Sequence, residues 1–153
     1  MEHGSAGDSK SFRLLSISGN LVRLDGESTK EQTMQYLMLI HTNTARWEKL
    51  SSDERNQIHA DCGAWHEELV RTGKSIGAMA LQPPTTATTL REENGKVLMT
   101  DGPFAETREV LGGFETLECQ DLDEALAIAK RFPALRVGSA VEVRPLMAGP
   151  CID

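Results

Sequence analysis

The longest apolar run in this sequence is the feature that most constrains its fold. Residues 34–41 read MQYLMLIH, and the uninterrupted apolar part covers only residues 36–40. A run of this length is far too short to cross a bilayer and is typical of a central β-strand covered on both faces. We therefore expect a domain built around a sheet in which this strand is internal.

Residues 51–73 are predicted to form a helix that packs against this sheet. Ser51 is a credible N-cap and Glu54 follows at the capping-box spacing, while Gly73 ends the helix. At 100° per residue, one stripe of this helix is apolar and is expected to be buried. The stripe consists of Ile58, Cys62, Trp65 and Leu69.

A second helix is predicted to begin after Asp121, which occupies an N-cap position with Glu124 at the box spacing. Its apolar stripe contains Ala125, Leu126, Ile128 and Ala129. Pro133 is expected to stop it, because proline removes a backbone donor and clashes with the preceding turn.

The remaining segments are predicted to be strands, at 75–82, 86–92, 96–100, 114–120 and 139–146. Residues 86–92 and 96–100 are joined across Glu93-Asn94-Gly95, and Asn-Gly is the strongest short hairpin signal. From residue 34 the order is therefore β-α-β, an inserted hairpin, then β-α-β. Without the hairpin, this order predicts an α+β fold, the ferredoxin-like split βαβ sandwich.

Such a sheet carries both helices on one face and leaves the other face open. If the open face is apolar it needs a cover, and a second copy of the chain is the usual one. We therefore expect a homodimer.

Residues 1–33 differ from the rest of the chain and are predicted to be an N-terminal extension, partly disordered. Within it, FRLLSISGNLVRL at 12–24 gives a weak hairpin signal about Gly19-Asn20. The compact domain is expected to span residues 34–147, and residues 148–153 to form a loose tail.

Charge and cysteine content narrow the function classes. The net charge is −7, so the long-range field repels nucleic acid and anionic lipid, and neither direct nucleic-acid binding nor membrane binding is expected. The three cysteines are widely spaced and form no C-x-x-C pair. Together with a start that does not look like a signal peptide, this favours a reduced, cytoplasmic protein.

The stretch DGPFAETREVLGG at 101–113 is the candidate functional motif. It is predicted to be a turn that begins at Asp101-Gly102-Pro103 and closes at Gly112-Gly113, two glycines expected to be turn or helix-end residues or to allow close approach of a ligand. The Asp101 carboxylate either caps the turn by accepting backbone N–H bonds, or lies in a cleft as a general acid or base.

Charged side chains follow Asp101 within the motif. Glu106, Arg108 and Glu109 are either a solvated surface with an internal ion pair or a binding group. In the second interpretation Arg108 binds a carboxylate or phosphate of a small ligand and Glu106 orients it.

The motif resembles the DGPF group of the YCII-related family. The resemblance extends to YLMLIH, ALQPPTTATTLR, DLDEALAIA and VEVRPL in the same order, and covers about residues 34–147. It implies a ferredoxin-like fold that pairs as a dimeric α/β barrel, with an undefined biochemical function. It further implies a cleft near the dimer interface where a histidine and an aspartate meet, and an association with extracytoplasmic-function sigma factors.

The aspartate of that cleft matches Asp101, whereas the histidine has several candidates. Related sequences can carry a histidine where this chain has Met79, which leaves His59 and His66 on the first helix, and we take His66 as the catalytic partner. His59, Cys62 and His66 could also bind zinc, but half-buried structural side chains are the simpler interpretation, so no metal or other cofactor is expected. Tyr36, Trp47 and Trp65 are expected in the core rather than in a pocket.

Overall fold

The computed structural model describes residues 33–147 and, closer to the N-terminus, the strands β1 (Leu14–Ile17) and β2 (Asn20–Arg23). Contacts divide the chain into two compact units, Met1–Gln32 and Thr33–Asp153. In the first unit β1 and β2 pair antiparallel, from Leu14 opposite Arg23 to Ile17 opposite Asn20. This confirms the hairpin predicted from 12–24, whereas the predicted disorder of the leader and the loose tail at 148–153 concern residues outside the described ones.

The second unit is a mixed α+β domain with one principal sheet. Its elements run in the order β3 (Met34–Asn43), α1 (Thr44–Trp47), α2 (Ser52–Arg71), β4 (Ser75–Ala80), β5 (Thr88–Glu93), β6 (Lys96–Asp101), β7 (Glu109–Cys119), α3 (Leu122–Ala129) and β8 (Ala140–Pro145), with short 3₁₀ turns at Pro84–Thr86 and Pro133–Val137. The four-stranded sheet has the order β4-β7-β3-β8 and is antiparallel throughout. This arrangement is compatible with the predicted ferredoxin-like fold, and β3 is internal as expected.

The first long helix, α2, forms as its end signals predict. The Ser51 hydroxyl accepts from the Glu54 backbone N–H at 3.2 Å, and the Glu54 carboxylate accepts from the Ser51 N–H at 2.8 Å. These bonds satisfy donors at the N-terminus and lower the pKa of Glu54. At the other end Gly73 has φ +69°, the left-handed conformation that glycine adopts without strain. No helix in the described part of the chain is long and apolar enough to cross a membrane.

The core lies between the sheet and the helices α2 and α3. Met38, Leu69, Leu117 and Cys119 are its most deeply buried large side chains. The predicted stripes supply Ile58 and Trp65 from α2, and Ala125, Ile128 and Ala129 from α3. Cys62 and Trp47 are only partly buried and pack against this core, while Tyr36 and Trp65 are in it as predicted.

The other face of the sheet carries a second set of apolar side chains. On β3, Tyr36 and Met38 face the helices, so Leu37 and Leu39 must point to the opposite side. Leu39 lies directly opposite Phe114 on β7, which in turn lies opposite Met79 on β4. We call these four side chains, Leu37, Leu39, Met79 and Phe114, the outer face. The first two and Phe114 are half-buried, and Met79 is 67% exposed.

The inserted hairpin, β5 with β6, forms a separate two-stranded sheet. Asn94 and Gly95 have φ values of 53° and 75°, both in the left-handed region that the predicted Asn-Gly turn requires. Three aliphatic side chains share one side of the hairpin and are all more than half exposed, namely Leu90, Val97 and Met99. The hairpin is therefore an arm with an apolar side of its own.

The predicted boundary of β7 is wrong, because the strand begins at Glu109 rather than near residue 114. Gly112 and Gly113 are consequently strand residues and do not close a turn. The pairing of β3 with β7 shifts between Ile40, opposite Gly113, and His41, opposite Leu111, so Gly112 is the extra residue of a β-bulge. A Cβ at Gly113 would lie 2.7 Å from the Met79 carbonyl oxygen, so close strand packing explains this glycine.

Candidate functional site

A pocket of about 1160 Å³ lies where β3, β7 and β8 meet the base of the hairpin. Its walls come from the start of β8 at 140–142, the proline turn at 81–84, the hairpin base at 86–89 and the segments 103–105 and 107–111. Leucine, valine, proline and Phe104 side chains make the lining mainly apolar, with a few charged groups among them. This combination of an apolar wall and few polar groups is typical of a site for a small molecule.

The β-bulge brings the side chains of His41 and Leu111 to the same wall of this pocket. Because directly opposite residues of paired strands point to one side, the shifted register places Leu111 on the side of His41. His41 and Glu142 both line the pocket, and His41 Nε2 lies 3.7 Å from Glu142 Oε2. The other oxygen, Glu142 Oε1, accepts from Arg144 Nε at 2.5 Å.

Of the two predicted binding residues, Arg108 and Glu106, only Arg108 lines the pocket. Arg108 is exposed and lines the pocket together with Glu109, whereas Glu106 is exposed and is not part of the lining. Within residues 33–147 no ion pair joins Arg108 to Glu106 or to Glu109. The guanidinium is therefore free of the internal ion pair that was one interpretation of this cluster.

Asp101 is exposed at the end of β6, directly opposite Thr88, a residue of the pocket wall. The turn after it is held by other groups. Gly102, with φ +106°, donates its N–H to the Ala87 carbonyl at 2.8 Å, and the Thr89 hydroxyl donates to the Gly102 carbonyl at 2.8 Å. In the described part of the chain no backbone N–H bonds to the Asp101 carboxylate, so the turn does not depend on it as a cap.

The segment after Asp101 is fixed to the hairpin by Arg91. Its guanidinium donates to the Phe104 carbonyl at 2.8 Å and lies 5.2 Å from the centre of the Phe104 ring. The Phe104 side chain is 78% exposed and forms part of the pocket wall. These two contacts of Arg91 fix Phe104, and with it one wall of the pocket, to the hairpin arm.

His66 lies elsewhere, between α2 and the sheet. Its Nδ1 is 2.9 Å from Glu115 Oε2, and the Ser75 hydroxyl donates to the other oxygen of the same carboxylate. Glu115 is 2% exposed on the helix side of β7, and neither His66 nor Asp101 lines the pocket. The predicted pair of Asp101 with His66 is therefore not brought together at the pocket, and His66 instead stabilises a buried carboxylate.

His59 and Cys62, the other two possible zinc ligands on α2, each contact a different part of the domain. The His59 ring packs against Trp47 at a tilt of 37°, with ring centroids 5.2 Å apart, and Cys62 is half-buried beside the Ala134 backbone. Among the described residues no group of three or more His, Cys, Asp or Glu side chains is arranged to hold a metal ion. Burial raises the pKa of the Cys62 and Cys119 thiols, which disfavours the thiolate needed of a nucleophile.

His41 and Glu142 are the pocket residues that sequence reasoning missed. Each belongs to a strand that is predicted from its apolar residues, and that pattern gives no indication that the polar residue in the strand faces a pocket. The available signal was the alternation of β3, which places His41 on the same side as Leu37 and Leu39, at the end of the strand. Polar side chains at strand ends are common in binding sites because the strand holds them rigidly.

Comparison with known proteins agrees with the motifs at the level of the family. The YCII-related domain family matches residues 34–148 of the chain. An uncharacterised protein of Rhizobium meliloti (strain 1021) is 36% identical over 114 residues, a stretch that covers 74% of this chain and 92% of the relative. The matched region contains the sheet, both long helices, the hairpin and the pocket. The chain therefore belongs to the YCII-related domain family.

Proposed function

We propose that this chain binds a small polar molecule in the pocket beside the hairpin base, with Arg108 as its main charged contact. The observation that carries the proposal is a pocket of about 1160 Å³ whose wall includes a guanidinium free of any ion pair within residues 33–147. The planar guanidinium suits a carboxylate or phosphate, which it can bind with two parallel hydrogen bonds. Glu106 lies next to the lining segment and is the candidate for orienting Arg108 once a ligand is bound.

Asp101 is the candidate acid or base for chemistry on the bound molecule. Its carboxylate is not used by the turn, and its cross-strand neighbour Thr88 lines the pocket. Opposite residues of an antiparallel pair project to the same side, which supports a position at the rim. His66 is tied to Glu115, so its predicted part in catalysis has no contact at this pocket to support it.

A ligand screen by thermal shift tests this proposal. Small carboxylates and phosphates are expected to raise the midpoint of wild type by several degrees, because a ligand that binds only the folded state stabilises it by mass action. The increase should disappear in Arg108→Gln and persist in Arg71→Gln, a control on the exposed end of α2. Asp101→Asn should still bind and lose only turnover. Equal increases for neutral and anionic compounds, or hits that survive Arg108→Gln, would contradict the proposal.

We also propose that two chains pair through the outer face to form the dimeric α/β barrel that the resemblance implies. The outer face is apolar across three neighbouring strands, and Glu142 continues the same row into the pocket. Burying such a surface against a copy of itself gives a symmetric interface with the pocket at its edge.

Met79→Lys is expected to convert the dimer to single chains of 16.8 kDa, because it places a charge within the apolar surface of the proposed interface. The change should not unfold the chain, since Met79 is already 67% exposed. Sedimentation equilibrium measures the mass, and Val70→Lys on α2, where the side chain is 54% exposed, is the matched control. A wild-type mass of one chain at every concentration would end the dimer proposal.

We propose one alternative function. In it the chain is a non-catalytic dimeric module that associates with an extracytoplasmic-function sigma factor. The observation that favours a protein partner is the hairpin arm, whose apolar side carries Leu90, Val97 and Met99 at 63%, 70% and 72% exposure. Exposed apolar groups of this kind are common at protein contacts. Loss of sigma-factor binding in a Val97→Lys, Met99→Lys variant that still binds pocket ligands would support this function over the first.

A further inference from the structure

His41 is the one histidine in the described chain that lines the pocket. It is held at the end of β3, opposite Leu111 on one side and Ala140 on the other, and its side chain is 28% exposed. Neither ring nitrogen forms a hydrogen bond within residues 33–147. The imidazole is thus fixed by the strands on both sides while its polar atoms stay available.

Glu142, the carboxylate beside His41, does not occupy the hydrogen-bonding nitrogens of the imidazole. The 3.7 Å between His41 Nε2 and Glu142 Oε2 is beyond hydrogen-bond distance, although the charges still attract when the imidazole is protonated. Glu142 is engaged by Arg144 through its other oxygen. A ligand can therefore accept a hydrogen bond from His41 while Glu142 keeps Arg144 as its partner.

The charged groups around His41 come from two other elements. β8 contributes Glu142, with Arg144 behind it, and the segment leading into β7 contributes Arg108 and Glu109. The proline turn contributes Leu81, Gln82 and two prolines, none of which titrates. Histidine is the side-chain type in this set that commonly exchanges a proton in the physiological pH range, so a contact through His41 is the one expected to depend on pH.

We infer that His41 is the second group that binds the anion held by Arg108, and that the ligand is a monoanion with a compact apolar body. The inference rests on the proposed pocket function and specifies its ligand. Arg108 and His41 supply the positive charge, while Leu81, Phe104 and Val110 supply apolar wall against which the rest of the ligand packs. A protonated imidazole adds a charge-assisted hydrogen bond, so affinity falls as pH rises and the imidazole loses its proton.

Phenylacetate and its neutral isostere phenylacetamide test the inference, followed by the backbone amide shifts of Leu111, Ala140 and Val141 in heteronuclear NMR. For wild type, phenylacetate should bind about a hundredfold more tightly than phenylacetamide at about pH 5.5, and about tenfold more tightly at about pH 8, where Arg108 alone supplies positive charge. His41→Gln should bind phenylacetate about tenfold more weakly at the lower pH and show no pH dependence. His41→Lys keeps a positive charge and should bind equally at both pH values.

His59→Gln is the matched control, since His59 packs against Trp47 and does not line the pocket. It should retain both the affinity and the pH dependence of wild type. If His41→Gln binds phenylacetate like wild type at both pH values while Arg108→Gln does not bind, the role of His41 is overturned and the pocket function stands. If neither compound shifts the pocket amides of wild type, both are overturned.

Discussion

Glu115→Ala is expected to lower the free energy of unfolding by about 3 kcal/mol. The wild-type carboxylate is buried on the helix side of β7, where it accepts from the Ser75 hydroxyl and lies 2.9 Å from His66 Nδ1. Alanine removes the acceptor for both groups and leaves a small cavity, and Ser75 is left without a partner beside the core. Each of these terms is unfavourable to folding.

The three residues join three elements, because Ser75 begins β4, Glu115 is in β7 and His66 is on α2. We therefore expect Ser75→Ala and His66→Ala to cost about 1 kcal/mol each, less than the loss of their common partner. Urea unfolding followed by circular dichroism measures the three values. Glu118→Ala is the control and should cost far less, because Glu118 is on the opposite side of the same strand and its side-chain hydrogen bond within residues 33–147 is an exposed one from Thr33. Equal losses for Glu115→Ala and Glu118→Ala would contradict the role given to this carboxylate.

Gly113→Ala is expected to cost about 2 kcal/mol, because the added methyl group meets backbone rather than a flexible side chain. The new Cβ would lie 2.7 Å from the Met79 carbonyl oxygen and 3.3 Å from the Ala80 Cα. Strand β4 must move away from β7 to relieve this contact. Because the Leu81 N–H donates to the Gly112 carbonyl at 2.9 Å, the same movement displaces a wall of the pocket.

Gly77→Ala is the matched control on the neighbouring strand. No described atom lies within 4 Å of a Cβ built at Gly77, so its cost should stay within about 0.5 kcal/mol. Thermal unfolding gives both values, and ligand titration of the two variants measures the pocket. A Gly113→Ala protein as stable as the Gly77→Ala protein would contradict the packing explanation for Gly113.

The parts of the fold that could be predicted from sequence are those set by local chemistry. Ser51 with Glu54 and the left-handed Gly73 determine where α2 begins and ends, and Asn94-Gly95 determines the hairpin turn. The helical stripe from Ile58 to Leu69 predicted the buried face of α2 because burial follows the helix period directly. Each of these signals acts within a few residues and needs no knowledge of the partner strand.

The parts that could not be predicted depend on neighbours distant in sequence. Gly112 and Gly113 resemble a turn, and only the pairing of β7 with β3 and β4 makes them strand residues. The partner of His66 is 49 residues away, so its spacing on the helix gave no information about Glu115. Arg108, which the sequence predicts as a binding residue, lines the pocket, and its role in binding stays a prediction. His41 also lines the pocket, but it belongs to a strand that is recognised in the sequence by its apolar positions.

The single extra residue at Gly112 allows one strand to serve two purposes. On its C-terminal side, alternate side chains from Glu115 to Cys119 point into the core, and on its N-terminal side Leu111 points to the pocket with His41. A substitution before the bulge can therefore change the wall of the pocket, while the alternation that folds the domain is left unchanged.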